Sequence, residues 1–168
     1  MGVFYQLTDQ VIVVKPLEEV WDFFSGAENL PRITPEWMHF RIVTPQPIAM
    51  HQDALIDYTI RVSGVPVKWK TRIIDWSPPR QFIDLQLRGP YTLWHHQHTF
   101  EAVAPFEGGG TRCRDRVTYK LPAGPIGRVM NRLMVRRQLR EIFGYRREAI
   151  GKLLAPVRPL QDIRIERV

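Results

Sequence analysis

Residues 111–154 read "TRCRDRVTYKLPAGPIGRVMNRLMVRRQLREIFGYRREAIGKLL", and the two halves of this stretch obey different periods. In the first half Thr111, Cys113, Asp115, Val117, Tyr119 and Leu121 alternate with Arg112, Arg114, Arg116, Thr118 and Lys120. A period of two with basic residues on one side describes a strand with one face in water. Sheets of that kind are built from antiparallel strands. Beyond the Pro122–Gly124 break the period changes. Ile126, Met130, Leu133, Ile142, Phe143, Ala149, Ile150 and Leu153 fall near one stripe, which predicts a single long amphipathic helix from about 125 to 154. Gly144 marks the expected weak point or bend of that helix.

Upstream of this stretch the chain continues in period two. Strands are expected near 38–44, 53–63, 66–76, 80–88 and 92–103, joined by the turn-rich "SGVP", "SPPR", "RGPY" and "FEGGG". The opening "FYQLTDQVIVV" reads as a further strand. "KPLEEVWDFFSGAENLPRITP" reads as a short helix begun near Pro16, with Leu17, Val20, Trp21 and Phe24 at helical spacing. A second short helical turn should precede the Pro31 and Pro35 breaks. The tail "APVRPLQDIRIERV" has two prolines and no evident core face, so it is expected to be disordered, with an ordered arm or a subunit contact as alternatives.

The fold class is therefore α+β: a curved seven-stranded antiparallel sheet wrapped around a long C-terminal helix, with two short helices after the first strand. A sheet curled around a helix touches it along only part of its length and leaves a cavity between them. "PLEEVWDFFSGAENLPRITP", "PPRQFIDLQLRGPYTLWHHQHTFE" and "GGTRCRDRVTYKLPAGPIG", together with the helix that follows, resemble the START/Bet v 1-like helix-grip superfamily. The resemblance is to its bacterial polyketide cyclase/dehydrase-like branch and covers roughly residues 3–154. It implies a ligand-binding domain over 1–154, with 155–168 as a tail outside it. It also implies a hydrophobic small molecule in the cavity, and, in a minority of relatives, cyclase or aromatase activity.

Composition sets bounds on this reading. A chain of 168 residues, 44% hydrophobic and 24% charged, is most economically one domain with one core. No apolar run approaches the roughly 20 residues of a membrane span, and no signal peptide is evident. The single cysteine, Cys113, excludes an internal disulfide and fits a cytoplasmic location. The net charge of +7 raises anionic partners. Exposed Arg112, Arg114 and Arg116 have no aromatics among them, which argues against a nucleic-acid surface. The arginines of the long helix read as a solvated face offering at most weak contact with an anionic membrane. Neither monomer nor homodimer is selected.

The chemistry concentrates in "LWHHQHTF", residues 93–100. As a strand it points Trp94, His96, His98 and Phe100 inward and His95 outward. If Phe100 lies opposite Cys113, then His98 faces Asp115 and Trp94 faces Tyr119. Across the "RGPY" turn, Gln86 and Asp84 would face Trp94 and His96. A buried acid is costly unless paired, so inward carboxylates beside inward histidines suggest satisfied polar pairs under a ligand. The expected ligand-binding residues are thus His96, His98, Trp94, Asp84, Gln86, Asp115, Tyr119, Tyr58 and Trp69, with Thr71 and Tyr91 as further candidate lining. Catalytic residues are not identifiable. A histidine oriented by a carboxylate suits proton transfer, which keeps a metal-free cyclase or dehydratase as the alternative to simple binding. Two same-face histidines could also share an ion with Asp84 or Asp115. Glu101 points away from them, and no metal or other cofactor is expected.

Overall fold

The computed structural model describes residues 3–105 and 108–168. The "FEGGG" turn therefore lies partly outside the described residues. β1 (Tyr5–Val13) leads into α1 (Leu17–Ser25), which has Pro16 at its start and buries Val20, Trp21 and Phe24. Two short 3₁₀ segments follow, Ala27–Ile33 and Glu36–Met38; the first runs through Pro31 instead of stopping before it. His39, at φ 45°, ends the second segment. The strand expected at 38–44 is accordingly reduced to β2 (Arg41–Ile42). Then come β3 (Leu55–Val62), β4 (Val65–Ser77), β5 (Gln81–Arg88), β6 (Leu93–Ala102) and β7 (Thr111–Lys120).

These strands form one antiparallel meander in the order β2-β3-β4-β5-β6-β7-β1, so the first strand pairs with the seventh. Gly110, at φ 98°, passes so close to the carbonyl of Val13 that an added Cβ would sit 2.5 Å from that oxygen. Glycine is needed there both for its backbone conformation and for this close approach.

The long helix runs without interruption as α2 (Gly124–Met130), a π-helical turn (Asn131–Val135) and α3 (Arg136–Leu153). Its irregularity falls at 131–135, and Gly144 sits in regular helix, contrary to expectation. The core stripe also needs correction. Ile126, Met130, Leu133 and Leu153 are exposed. The face turned inward near the helix start carries Gly127, Asn131 and Val135 instead. A Cβ on Gly127 would meet the Pro122 carbonyl oxygen at 2.2 Å, and Asn131 Oδ1 accepts the Tyr119 hydroxyl at 2.8 Å. A glycine and an asparagine hold that face against the chain, and neither reads as core in a sequence.

The tail is ordered, not disordered. β8 (Val157–Pro159) and β9 (Arg164–Arg167) both pair with β1, giving nine strands among the described residues where seven were expected. Ala155 and Ile165 are buried, and Arg147 donates to the Gln161 carbonyl at 2.8 Å. Among the described residues, no helix is long and apolar enough to cross a membrane.

Candidate functional site

Between the sheet and α3 lies a cavity of about 180 Å³. It is smaller than the 300–1,000 Å³ usual for ligand sites, because aromatic rings fill much of the space. Tyr58 stacks on Trp69 at 5.8 Å and tilts against Phe40 at 4.7 Å. Trp69 meets Trp94 edge-on at 5.5 Å, and Trp94 packs on Tyr91 at 4.8 Å. One hydroxyl serves this wall: Thr71 Oγ1 accepts the Trp69 indole N–H at 3.1 Å and lies 3.4 Å from the Tyr58 hydroxyl. Burial pushes the Tyr58 and Tyr91 hydroxyls far up, so both stay protonated.

At the floor stand the histidines of β6. His96 is 6% and His98 5% exposed, and their rings lie 3.7 Å apart. The register sets Phe100 opposite Cys113, and with it His98 opposite Asp115, Trp94 opposite Tyr119 and Asp84 opposite His96. The directed hydrogen bonds nevertheless run diagonally. His96 Nε2 donates to Asp115 Oδ1 at 2.8 Å, and His98 Nε2 donates to Asp84 Oδ2 at 2.9 Å. The directly opposed pairs are close without that alignment. His98 Nδ1 is 2.9 Å from Asp115 Oδ1 but makes no hydrogen bond, and His96 Nδ1 is 3.6 Å from Asp84 Oδ2. Register fixes which strand positions meet; the rotamers decide which atoms bond.

A fifth member comes from α3. Arg146 Nη2 lies 3.8 Å from Asp115 Oδ1, with its guanidinium over the Phe24 and Phe143 rings. Arg146 thus departs from the expectation that the helix arginines are all solvated. Its spacing holds the contrary signal, since Leu139, Phe143, Arg146 and Ile150 follow one another at the four-three-four intervals of a buried helical seam. Next to it, Arg147 pairs with buried Asp9. Asp9 lies opposite Asp115 across β1 and β7. Two adjacent arginines of one helix thus neutralise two facing aspartates of the sheet.

These contacts split the histidines. Burial, followed by the charge of His98, lowers the pKa of His96 against the pull of Asp115 and Asp84, which keeps His96 neutral near pH 7. Burial opposes charge on His98 as well, but Asp115 and Asp84 outweigh it and raise its pKa. Burial would raise both carboxyls. Arg146 and the two histidines overcome that for Asp115 and hold it well below the ordinary range; the histidines hold Asp84 low. The two carboxylates thus stand between the Arg146 guanidinium and a histidine pushed toward its charged form, so each buried acid has a cationic or hydrogen-bonding partner.

Of the nine expected ligand-binding residues, Tyr58, Trp69, Asp84, Trp94, His96 and His98 line the cavity, as do Thr71 and Tyr91. Gln86, Asp115 and Tyr119 are not part of its wall. Gln86 turns back to its own loop and donates to the Tyr91 carbonyl at 2.7 Å. Asp115 lies beneath the histidines, and Tyr119 is spent on Asn131, its pKa raised by burial to about 12. Sequence reasoning missed Phe82, Leu139, Ile142, Phe143 and Arg146 as lining. Cys113 is buried, as expected, and burial pushes its thiol far up. Among the described residues, Asp84, His96 and His98 are the group whose donor atoms, all within 4.8 Å, could hold a metal ion. One nitrogen of each histidine already bonds a carboxylate, and a dication there would stand near the Arg146 guanidinium. The set is better suited to holding protons.

A family model described as polyketide cyclase/dehydrase and lipid transport matches residues 13–143. No curated protein matches the sequence. Among solved structures, a protein from Thermus thermophilus superposes with a TM-score of 0.68 at 16% identity, over 88% of this chain and 94% of that one. A START superfamily protein from Mycobacterium smegmatis gives 0.61 at 16% identity, over 88% and 95%. The Zhui aromatase/cyclase from Streptomyces sp. R1128 gives 0.59 at 16% identity, over 90% and 97%. At these identities the likeness is one of fold.

Proposed function

The chain belongs to the polyketide cyclase/dehydrase and lipid transport family, and from that membership we propose that it binds a small, largely hydrophobic molecule in the cavity between sheet and α3. The observation that carries the reading is an aromatic wall standing over a polar floor of paired histidines and aspartates. Trp69, Tyr91, Trp94 and Tyr58 offer apolar area to rings or an acyl chain. Asp84, His96 and His98 offer fixed partners to one polar group of the ligand, such as a hydroxyl or carbonyl oxygen. A volume of about 180 Å³, roughly that of six liquid waters, suits one or two rings or one end of a longer molecule. A polyketide, quinone or lipid-like compound in the cytoplasm fits this description. Native mass spectrometry of protein purified from its own host tests the proposal. A retained apolar compound, lost from a Trp94→Arg variant that still folds, is the expected result. Protein that carries nothing, and whose tryptophan fluorescence no aromatic or quinone probe quenches, would overturn it.

One observation favours an enzymatic second reading. His96 is pushed toward its neutral form and His98 toward its protonated form, 3.7 Å apart in one cavity. Neighbouring groups with pKa values driven apart are how a site holds a general base and a general acid at one pH. Proton removal next to a carbonyl by His96, with His98 protonating an oxygen, is the chemistry of cyclisation and dehydration. In that case His96→Gln would retain ligand and lose turnover.

A further inference from the structure

We propose that the first turns of the long helix, Ile126–Leu133, form a docking face for an anionic lipid surface. Ile126, Val129, Met130 and Leu133 recur at three- and four-residue intervals, so they share one side of the helix. They are 69%, 56%, 40% and 71% exposed. The opposite side carries the buried Gly127, Asn131 and Val135. This is an amphipathic helix whose apolar side is turned out, and contiguous exposed apolar surface of that kind marks an interaction site. The charge around it selects the partner. From Gly124 to Arg140 there is no acidic residue, whereas Arg128, Arg132 and Arg140 are exposed. Among the described residues, the ion pairs include none for these three arginines. An apolar stripe bordered by arginines fits an anionic bilayer interface, where the stripe enters the acyl boundary and the cations meet headgroups. A second copy of this chain fits poorly, because like arginines would face one another.

The surface adjoins the cavity. Ser63, at the tip of the β3–β4 hairpin, touches Met134 Sδ and receives the Gln138 amide, each at 3.5 Å, and Val65 beside it is also exposed. Arg61, Val62 and Gln138 line the cavity. Docking through Ile126–Leu133 would therefore turn this side of the cavity toward the membrane. The inference goes beyond cavity binding and does not depend on it, since vesicle binding is read with no cavity ligand added.

The test is flotation of the intact protein with phosphatidylcholine vesicles and with vesicles that also contain phosphatidylserine, at low and high salt. The expected result is binding to the acidic vesicles only, weakened by salt. Leu133→Asp should lower the partition by at least about tenfold, from the lost burial of one leucine side chain. The double variant Arg128→Glu/Arg132→Glu should lower it by at least about fivefold for each arginine. Arg114→Glu/Arg116→Glu, on the outer face of β7, makes the same change in net charge and should leave most of the binding intact. All three carry exposed substitutions, and thermal melting establishes that each is folded. Three results would overturn the proposal: no binding to acidic vesicles, binding indifferent to Leu133→Asp, or equal loss in the Arg114/Arg116 variant. Sedimentation showing a dimer that Leu133→Asp dissociates, with no vesicle binding, would assign the face to a second copy and equally overturn it.

Discussion

Replacing His98 by alanine should be among the most damaging single changes in this protein, and the damage should depend on pH. The ring bonds Asp84 through Nε2 at 2.9 Å, holds Nδ1 at 2.9 Å from Asp115 and stacks on Phe82 at 4.1 Å. Asp115 keeps His96 and Arg146, so Asp84 is the carboxylate left stranded, with His96 Nδ1 at 3.6 Å as its remaining partner. Breaking one side of a buried ion pair costs about 3–5 kcal/mol, and for a chain of this size that lowers the melting temperature by about 6–20 °C. The pKa of His98 is raised in the fold from 6.5. Its stabilisation is therefore complete below about 6.5 and fades as pH rises through the raised value. Asp84 and Asp115 are lowered from 3.8, so their stabilisation is present above about 3.8 and fades as pH falls. The gap between wild type and His98→Ala should be widest between these limits. Urea unfolding at pH 6 and pH 9 should show the larger gap at pH 6. His95→Ala, on the other face of β6, should stay within about 0.5 kcal/mol of wild type at both. Equal losses from the two substitutions, or a gap that grows toward pH 9, would refute the reasoning.

Arg146→Met should cost about 3–5 kcal/mol in urea unfolding near neutral pH, with a deficit that shrinks on acidification, because Asp115 then has no guanidinium holding its carboxyl down. Removing residues 156–168 strips β8 and β9 from β1; the truncated chain should melt lower and show concentration-dependent light scattering, since a bared edge strand invites pairing with other chains. Elemental analysis of purified protein should find zinc and iron well below one per chain, and stoichiometric metal removable by a chelator would mean that Asp84, His96 and His98 are ligands.

The parts of this structure that are legible in the sequence are those fixed by backbone period. The alternation of β6 and β7 tells which residues share the buried face, and the register that sets Phe100 opposite Cys113 also brings Asp115 opposite His98. A slip of two residues would keep the same faces, so the pattern narrows the register without fixing it. It does not carry the diagonal bonding, because the choice between Asp84 and Asp115 as partner lies in χ angles that no spacing encodes. Arg146 and Asn131 escape sequence reasoning for a different reason. Both occupy core positions of the helix with polar side chains, and a hydrophobic stripe drawn through Ile126 and Leu133 takes the wrong side of the first two turns. The tail reads as disordered because strands that complete a sheet edge need few apolar residues. In this one only Ala155 and Ile165 are buried.

The position of β1 in the sheet bears on how the protein can be made. Its partners are residues 111–119, 157–159 and 164–167, and none of its ladder bonds is to the strand that follows it. At about 5–20 residues per second of synthesis, the segment Tyr5–Val13 waits of order ten seconds on the ribosome before β7 exists to receive it. During that wait Leu7, Val11 and Val13, all buried in the finished fold, are open to the solvent and to chaperones. Closure of so long a loop is also the slow kind of step in folding. Synthesis should therefore yield no stable N-terminal intermediate, and stalled chains shorter than about 120 residues should remain protease-sensitive along their whole length.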